Sequence, residues 1–414
     1  MRMSFNKPSQ LLLVTAASLL AAGVFTACGT NTVDFVYVSS PVAAGPNSYG
    51  EIDVFEINSK SGFMRQIPAS PVPSGGRNPV AEAVSTDNLS LYVVNQDDNT
   101  IVQFKIGSDG KLYPQQTVNT PGVYPLAVAV RGSNLFVADT FQPLPNCSRA
   151  APCSGSVAVF PIVSGSSACN TVSGELCTPV ANGSLSYWPL ALTGQSASDV
   201  IVPTAISVLP SGTAVFVAAY DTTSGAGYVF AFAVASGGAL SAIEGSPYPA
   251  GVHPSALTSD ASGSYLYVTD STRGKVLGYS VAGDGSLSAL SGSPFPAGNQ
   301  PSAIVADPKT SYLYVANAQD SNVEAYSIGA GGQLAFLGGS STPVTYAAGS
   351  QPVAMGIDPG TNHFLFTVNF LGSTVSDFEM SATDGSLVNT QHSPYHSNAQ
   401  PTAVVAIPHG GSFK

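Results

Sequence analysis

Three side chains of this chain could do acid–base chemistry together: His253, Asp270 and Arg273. An imidazole takes or gives a proton near neutral pH, a carboxylate can orient it, and a guanidinium can clamp an oxyanion or a carboxylate. The competing reading of His253 is structural, an imidazole hydrogen-bonded beside a strand entrance. Other catalytic patterns are missing: there is no Gly-x-Ser-x-Gly elbow, no His-Glu-x-x-His, no Gly-x-x-x-x-Gly-Lys loop and no Asp-rich calcium loop. His392 and His396 stand four apart, but Pro394 between them opposes the helix that would bring them onto one face. No metal and no cofactor is expected.

The elements that must position these residues are repeats. His253 precedes Pro254, one of seven prolines that open copies of one pattern: Pro79, Pro125, Pro203, Pro254, Pro301, Pro352 and Pro401. They lie 46 to 51 residues apart, except for one interval of 78. Each unit has an apolar strand centred on an aromatic residue, at Tyr37, Tyr92, Phe136, Phe216, Tyr267, Tyr314 and Phe366. A Val-x-x-aromatic strand and a Gly turn follow. A period of about 40–50 residues with four short strands is the signature of a β-propeller blade. The expected fold is therefore all-β, a seven-bladed β-propeller of four-stranded antiparallel blades. The first unit begins at its second strand and the last is an inner strand alone. The C-terminal strand should then complete the first blade and remove an open edge.

Composition agrees. The chain is 44% apolar and only 9% charged, with 42 Gly and 31 Pro, which argues for a sizeable core joined by many turns. With 13 basic and 24 acidic residues the net charge is −11. That balance excludes nucleic acid as a partner.

Residues 1–27 read as a signal peptide: Arg2 and Lys7 precede an apolar stretch, Leu11 to Val24, too short and Ala-rich to span a membrane. It ends in Phe25-Thr26-Ala27-Cys28, which resembles a bacterial lipobox. The resemblance implies a lipidated Cys28, a tether over 28–32, and an exported protein anchored at the outer membrane or cell surface. Ordinary cleavage after Ala27 is the other reading. Loss of residues 1–27 leaves 11 basic against 24 acidic residues, net −13, so membrane contact would run only through the lipid. The propeller itself is expected over 33–410, as a monomer.

Cys147, Cys153, Cys169 and Cys177 all fall in the long interval, so a stapled insertion is expected at about 141–200. Zinc competes with disulfides here, but no Cys-x-x-Cys pair is present. Of three possible connectivities, nearest-neighbour pairing, Cys147–Cys153 and Cys169–Cys177, is the one adopted.

Tyr267-Val268-Thr269-Asp270 and Tyr314-Val315-Ala316-Asn317, with the Gly-x-x-Pro starts at Gly251, Gly298 and Gly349, resemble the Tyr-Val-Thr-Asn repeat propellers. They also resemble the seven-bladed lactonase family that includes bacterial 6-phosphogluconolactonase. The likeness covers about residues 33–410 and implies a lactone-opening hydrolase. Family members carry imidazole and guanidinium after the blade-opening prolines; the matching positions here are Ser255, Ser302, Val353 and Thr402.

Residues before the prolines and at the ends of the second strands should ring the central funnel. Asn78, Asn95, Tyr124, Gln300, Asn317, Gln351, Asn369 and Gln400 make that ring rich in amides, which suits a neutral polar ligand. Two functions follow. The first is a non-catalytic envelope lipoprotein that binds a small molecule, glycan, peptide or protein partner at the funnel. The alternative is a lactonase-like hydrolase using His253, Asp270 and Arg273.

Overall fold

In every repeat the aromatic residue at the centre of the second strand is enclosed: Tyr37, Tyr92, Phe136, Phe216, Tyr267, Tyr314 and Phe366 are at most 1% exposed. Alternating β-branched and aromatic residues give each strand two apolar faces, and a single sheet cannot cover both. The solution is a ring of seven antiparallel sheets stacked face to face. The computed structural model describes residues 32–44, 47–163, 172–194, 196 and 199–409; Cys28 with its leader, and Cys169, lie outside the described residues. The apolar core is accordingly seven clusters, one in each seam between neighbouring blades.

Blade 5, which follows His253, shows the plan. Its inner strand is Pro254–Ser259, its second Tyr265–Asp270 and its third Lys275–Val281. The outer edge comes in two pieces, Leu287–Ala289 and Phe295–Pro296, both paired with the third strand. Blades 1, 4, 6 and 7 have the same broken outer strand, so the expected four strands are four positions filled by five segments. In four blades the break carries a Ser-Pro pair whose hydroxyl accepts a third-strand N–H left by the gap. Ser70 accepts from Val54, Ser246 from Ala231, Ser293 from Gly278 and Ser393 from Asp377, at 2.8–3.0 Å.

The ring closes as expected. Ala403–Pro408 pairs antiparallel with the second strand of blade 1, placing Ala403 opposite Ser39 and Pro408 opposite Asp34. Thr402 secures this closure, its hydroxyl lying 2.8 Å from the Pro79 carbonyl of blade 2. Ser255 and Ser302 make the same bridge to Pro301 and Pro352 of the next blades, at 2.6 Å each. The positions after the prolines are thus partly occupied in joining blades.

The extra length of blade 3 is divided between both ends of the blade. Residues 142–155 connect its second strand to its third on the funnel side, and contain the Cys147–Cys153 disulfide. Cys177 is also disulfide-bonded, but lies in the connection beyond the third strand, at the opposite end.

Candidate functional site

One coupling organises the funnel end of the blades. The second strand ends in a buried Asn or Asp, and that side chain packs on the glycine three residues before the blade-opening proline. A Cβ added at Gly76, Gly122, Gly251, Gly298 or Gly349 would fall 2.2–2.7 Å from Asn95, Asp139, Asp270, Asn317 or Asn369 respectively. These Gly-x-x-Pro starts therefore exist because the strand-end side chain leaves no room for another atom. The amides of Asn95, Asn317 and Asn369 are fully buried; Asn95 bonds to Ser74 at the end of blade 1, and the other two bond within their own blades, to Asn322 and to the pair Thr374 and Ser376. They do not line the funnel.

Asp270 serves the same latch in blade 5. Its carboxylate accepts four backbone N–H groups, from Val252 at 2.9 Å, His253 and Thr272 at 3.2 Å and Arg273 at 3.3 Å. It is buried, and no bond joins it to the imidazole. What it does is fix the backbone of His253 and Arg273 at once.

Those two side chains do come together. They line a cavity of about 850 Å³ over blades 5, 6 and 7, with Lys275, Asn299, Gln300 and Gln351. No carboxylate lines it. Neither Arg273 nor Lys275 belongs to an ion pair among the described residues. Gln351 Oε1 is buried without a hydrogen-bond partner among the described residues, an acceptor with a deficit to fill. Asn299 is held by Asp320, which accepts its backbone N–H at 2.7 Å and its amide at 2.9 Å. Beneath Gly298, burial pushes the Glu324 carboxyl above its usual range, while the Gly298 N–H and the Tyr326 hydroxyl donate to it.

The remaining predicted ligand residues lie elsewhere on the funnel mouth. Asn78 donates to Gln96 at 3.2 Å, beside the Arg77–Asp98 ion pair. Tyr124 lies under the Arg149 guanidinium, 5.4 Å from its ring centre, so the disulfide loop of blade 3 reaches the mouth. Gln400 is exposed and away from the cavity. Asn78, Tyr124, Gln300, Gln351 and Gln400 share a left-handed backbone, φ between 52° and 59°. In three of these blades the turn aims the carbonyl at the N–H following the second strand: Gln96 to Asn78, Ala318 to Gln300 and Phe370 to Gln351.

Sequence reasoning left Ser271 without a role and placed Tyr220 only among the strand-end residues expected to ring the funnel. Ser271 Oγ lies 3.1 Å from His253 Nδ1, and the Tyr220 ring stands 4.4 Å from the imidazole at 36°. A signal was present: blade 4 has Ala219 opposite its opening proline where five other blades have Asn or Asp, and Tyr220 follows it.

The family model for the seven-bladed β-propeller lactonases matches residues 215–337 and 293–409. A search of curated proteins finds no match. Among solved structures, a Pseudomonas aeruginosa periplasmic gluconolactonase is 20% identical with a TM-score of 0.68, covering 91% of this chain and 99% of its own. A Bacteroides fragilis candidate 6-phosphogluconolactonase is 19% identical with a TM-score of 0.67 and the same coverage, 91% and 99%. A Lactobacillus plantarum protein is 18% identical with a TM-score of 0.64, covering 90% and 99%. The second half of the chain is thus similar to the seven-bladed lactonase propellers, and the solved structures share the fold of the whole.

Proposed function

We propose that this lactonase-type propeller holds a small polyhydroxylated anion, a sugar acid or its lactone, in the cavity over blades 5 to 7. The observation that carries the reading is the lining itself: His253, Arg273 and Lys275 meet there without a carboxylate, on a chain of net charge −11. A concentration of cations against the overall sign marks a site for negative charge. The amides of Asn299, Gln300 and Gln351 suit hydroxyl groups. The neutral ligand expected from the amide ring is replaced by an anionic one, because the strand-end amides are buried and the cations are not.

A second reading, hydrolysis, is favoured by the imidazole in the same cavity. His253 would take a proton from water as its oxygen attacks the lactone carbonyl. The ring C–O bond then breaks, and the proton passes to the departing alkoxide to give a hydroxy acid. Arg273 would stabilise the oxyanion. The gluconolactonase neighbour from Pseudomonas aeruginosa supports this reading and, being periplasmic, an exported protein.

Calorimetric titration with gluconate and 6-phosphogluconate, beside a gluconolactone hydrolysis assay, tests both. Arg273→Ala should weaken anion binding by about tenfold or more. Binding of neutral glycans but not of sugar acids would overturn the anion reading. Turnover lost in His253→Ala with binding retained establishes the hydrolase; binding without turnover by the native protein leaves a binding module. Envelope anchoring is proposed with it: a fatty-acid label should enter the native protein and not Cys28→Ser, and equal labelling would refute the lipid anchor.

A further inference from the structure

Blades 4 and 5 depart from the repeat around one ring pair, Tyr220 and His253. The residue opposite the blade-opening proline is Asn95, Asp139, Asp270, Asn317 or Asn369 in five blades, but Ala219, opposite Pro203, in blade 4, and Tyr220 follows it. Blade 4 also has Val200 where those five have the partnering glycine. Its loop is instead held by Asp221, two residues beyond Ala219, which accepts the Thr223 N–H at 2.9 Å and the Ser224 hydroxyl at 2.6 Å. Tyr220 stands between the two, and its ring lies against His253 of blade 5. His253 departs too, since it lacks the left-handed backbone of five other pre-proline residues.

Ser271 supplies the second half. Its hydroxyl has one proton, and the His253 carbonyl oxygen lies 3.1 Å away to accept it. The serine oxygen then meets Nδ1 at 3.1 Å as an acceptor. That arrangement requires the hydrogen to sit on Nδ1 of the neutral ring. Nε2 has no hydrogen-bond partner among the described residues, and the residue lines the cavity.

We propose that Ser271 and Tyr220 are positioning residues for His253: the serine sets the Nδ1–H tautomer, the tyrosine ring fixes its plane, and Nε2 is left as a proton acceptor in the cavity. The inference takes its functional meaning from the cavity reading above, but it makes a claim about the empty protein. A ring nitrogen held as acceptor can receive a ligand hydroxyl or deprotonate a water; the opposite tautomer can do neither.

The test is long-range ¹H–¹⁵N correlation NMR on the folded protein with labelled histidine, at a pH about two units above the ordinary imidazole value of about 6.5. His253→Ala identifies the signal among the five histidines. The native protein should show the Nδ1–H pattern, Ser271→Thr should keep it, and Ser271→Ala should convert most of the ring to the other tautomer. Tyr220→Phe should leave the signal unchanged, and Tyr220→Ala should mix the two forms. An Nε2–H ring in the native protein, or an unchanged tautomer in folded Ser271→Ala, overturns the proposal. Where lactone turnover is present, Ser271→Ala should lower kcat about tenfold or more with KM little changed. Because the tautomer is read without ligand, an Nδ1–H ring in a protein that opens no lactone upholds the positioning and counts against hydrolysis alone.

Discussion

The phenol of Tyr267, at the centre of blade 5, donates to the carbonyl oxygen of Gly332 in blade 6 at 2.8 Å. The same clasp joins Tyr37 to Gly110, Tyr92 to Gly174 and Tyr314 to Gly385, each time to the turn after the third strand of the next blade. Blades 3, 4 and 7 carry Phe at this position and lack the hydroxyl. The choice between Tyr and Phe in an otherwise uniform strand therefore decides which seams carry this clasp.

Tyr267→Phe should lower stability by about 1–3 kcal/mol, because a buried carbonyl loses its donor while the ring still fills the seam. Tyr37→Phe and Tyr314→Phe should act alike, and the effects should add, since the seams share no partner. Urea unfolding of single and combined variants checks this; a triple variant as stable as the native protein would refute the clasp.

The Cys147–Cys153 disulfide closes a short loop on the funnel side of blade 3, with a Cα–Cα distance of 5.4 Å. Replacing both cysteines by serine should loosen that loop, worth about 2 kcal/mol locally, and release Arg149 from Tyr124. The β-sheet circular dichroism should be unchanged. Collapse of the sheet signal would mean that the loop supports the ring.

Several buried carboxyls give the stability a direction in pH. Burial pushes Glu82 up to about 8, with the Ser39 hydroxyl donating to it at 2.6 Å. Burial pushes Asp139 up to about 7; burial and then the neighbouring Asp358 carry Asp34 up to about 9. An acid whose folded value is raised binds its proton more tightly in the native state. Its contribution is complete below the unfolded value of about 4 and is lost as pH rises through the folded one. The melting temperature should therefore fall between about pH 5 and 9, and Glu82→Gln should flatten that slope while keeping an acceptor for Ser39. A native protein that gains stability over this window would contradict the assignment.

Some features were legible because they are counted. Seven enclosed aromatic strand centres and a lone C-terminal strand specify a closed ring without any coordinates. The Ser-Pro break of the outer strands was not legible, since a proline after a serine reads as an ordinary turn. The strand-end amides misled for a physical reason: Asn317 has the same composition whether it faces a ligand or latches a glycine, and only burial separates the two. His253 and Arg273 were found as a pair because they flank the first two strands of one blade. Ser271 was not, because its role lies in the direction of a hydroxyl proton, which no spacing encodes.

Asp270 offers the sharpest separation of scaffold from site. It touches no part of the cavity, yet its carboxylate holds the backbone of both His253 and Arg273. Asp270→Ala would orphan four N–H groups in a buried place and should cost about 3 kcal/mol or more. Asp270→Asn should cost less, about 1–2 kcal/mol, because Asn95, Asn317 and Asn369 already fill this position in other blades. Its amide nitrogen would still face donors that need an acceptor, so the loop should shift. Sugar-acid affinity in folded Asp270→Asn should then fall as Arg273→Ala affinity does, with no contact to the ligand removed. Urea unfolding and the gluconate titration read the two effects separately. Full affinity in Asp270→Asn would show that His253 and Arg273 hold their places without the latch.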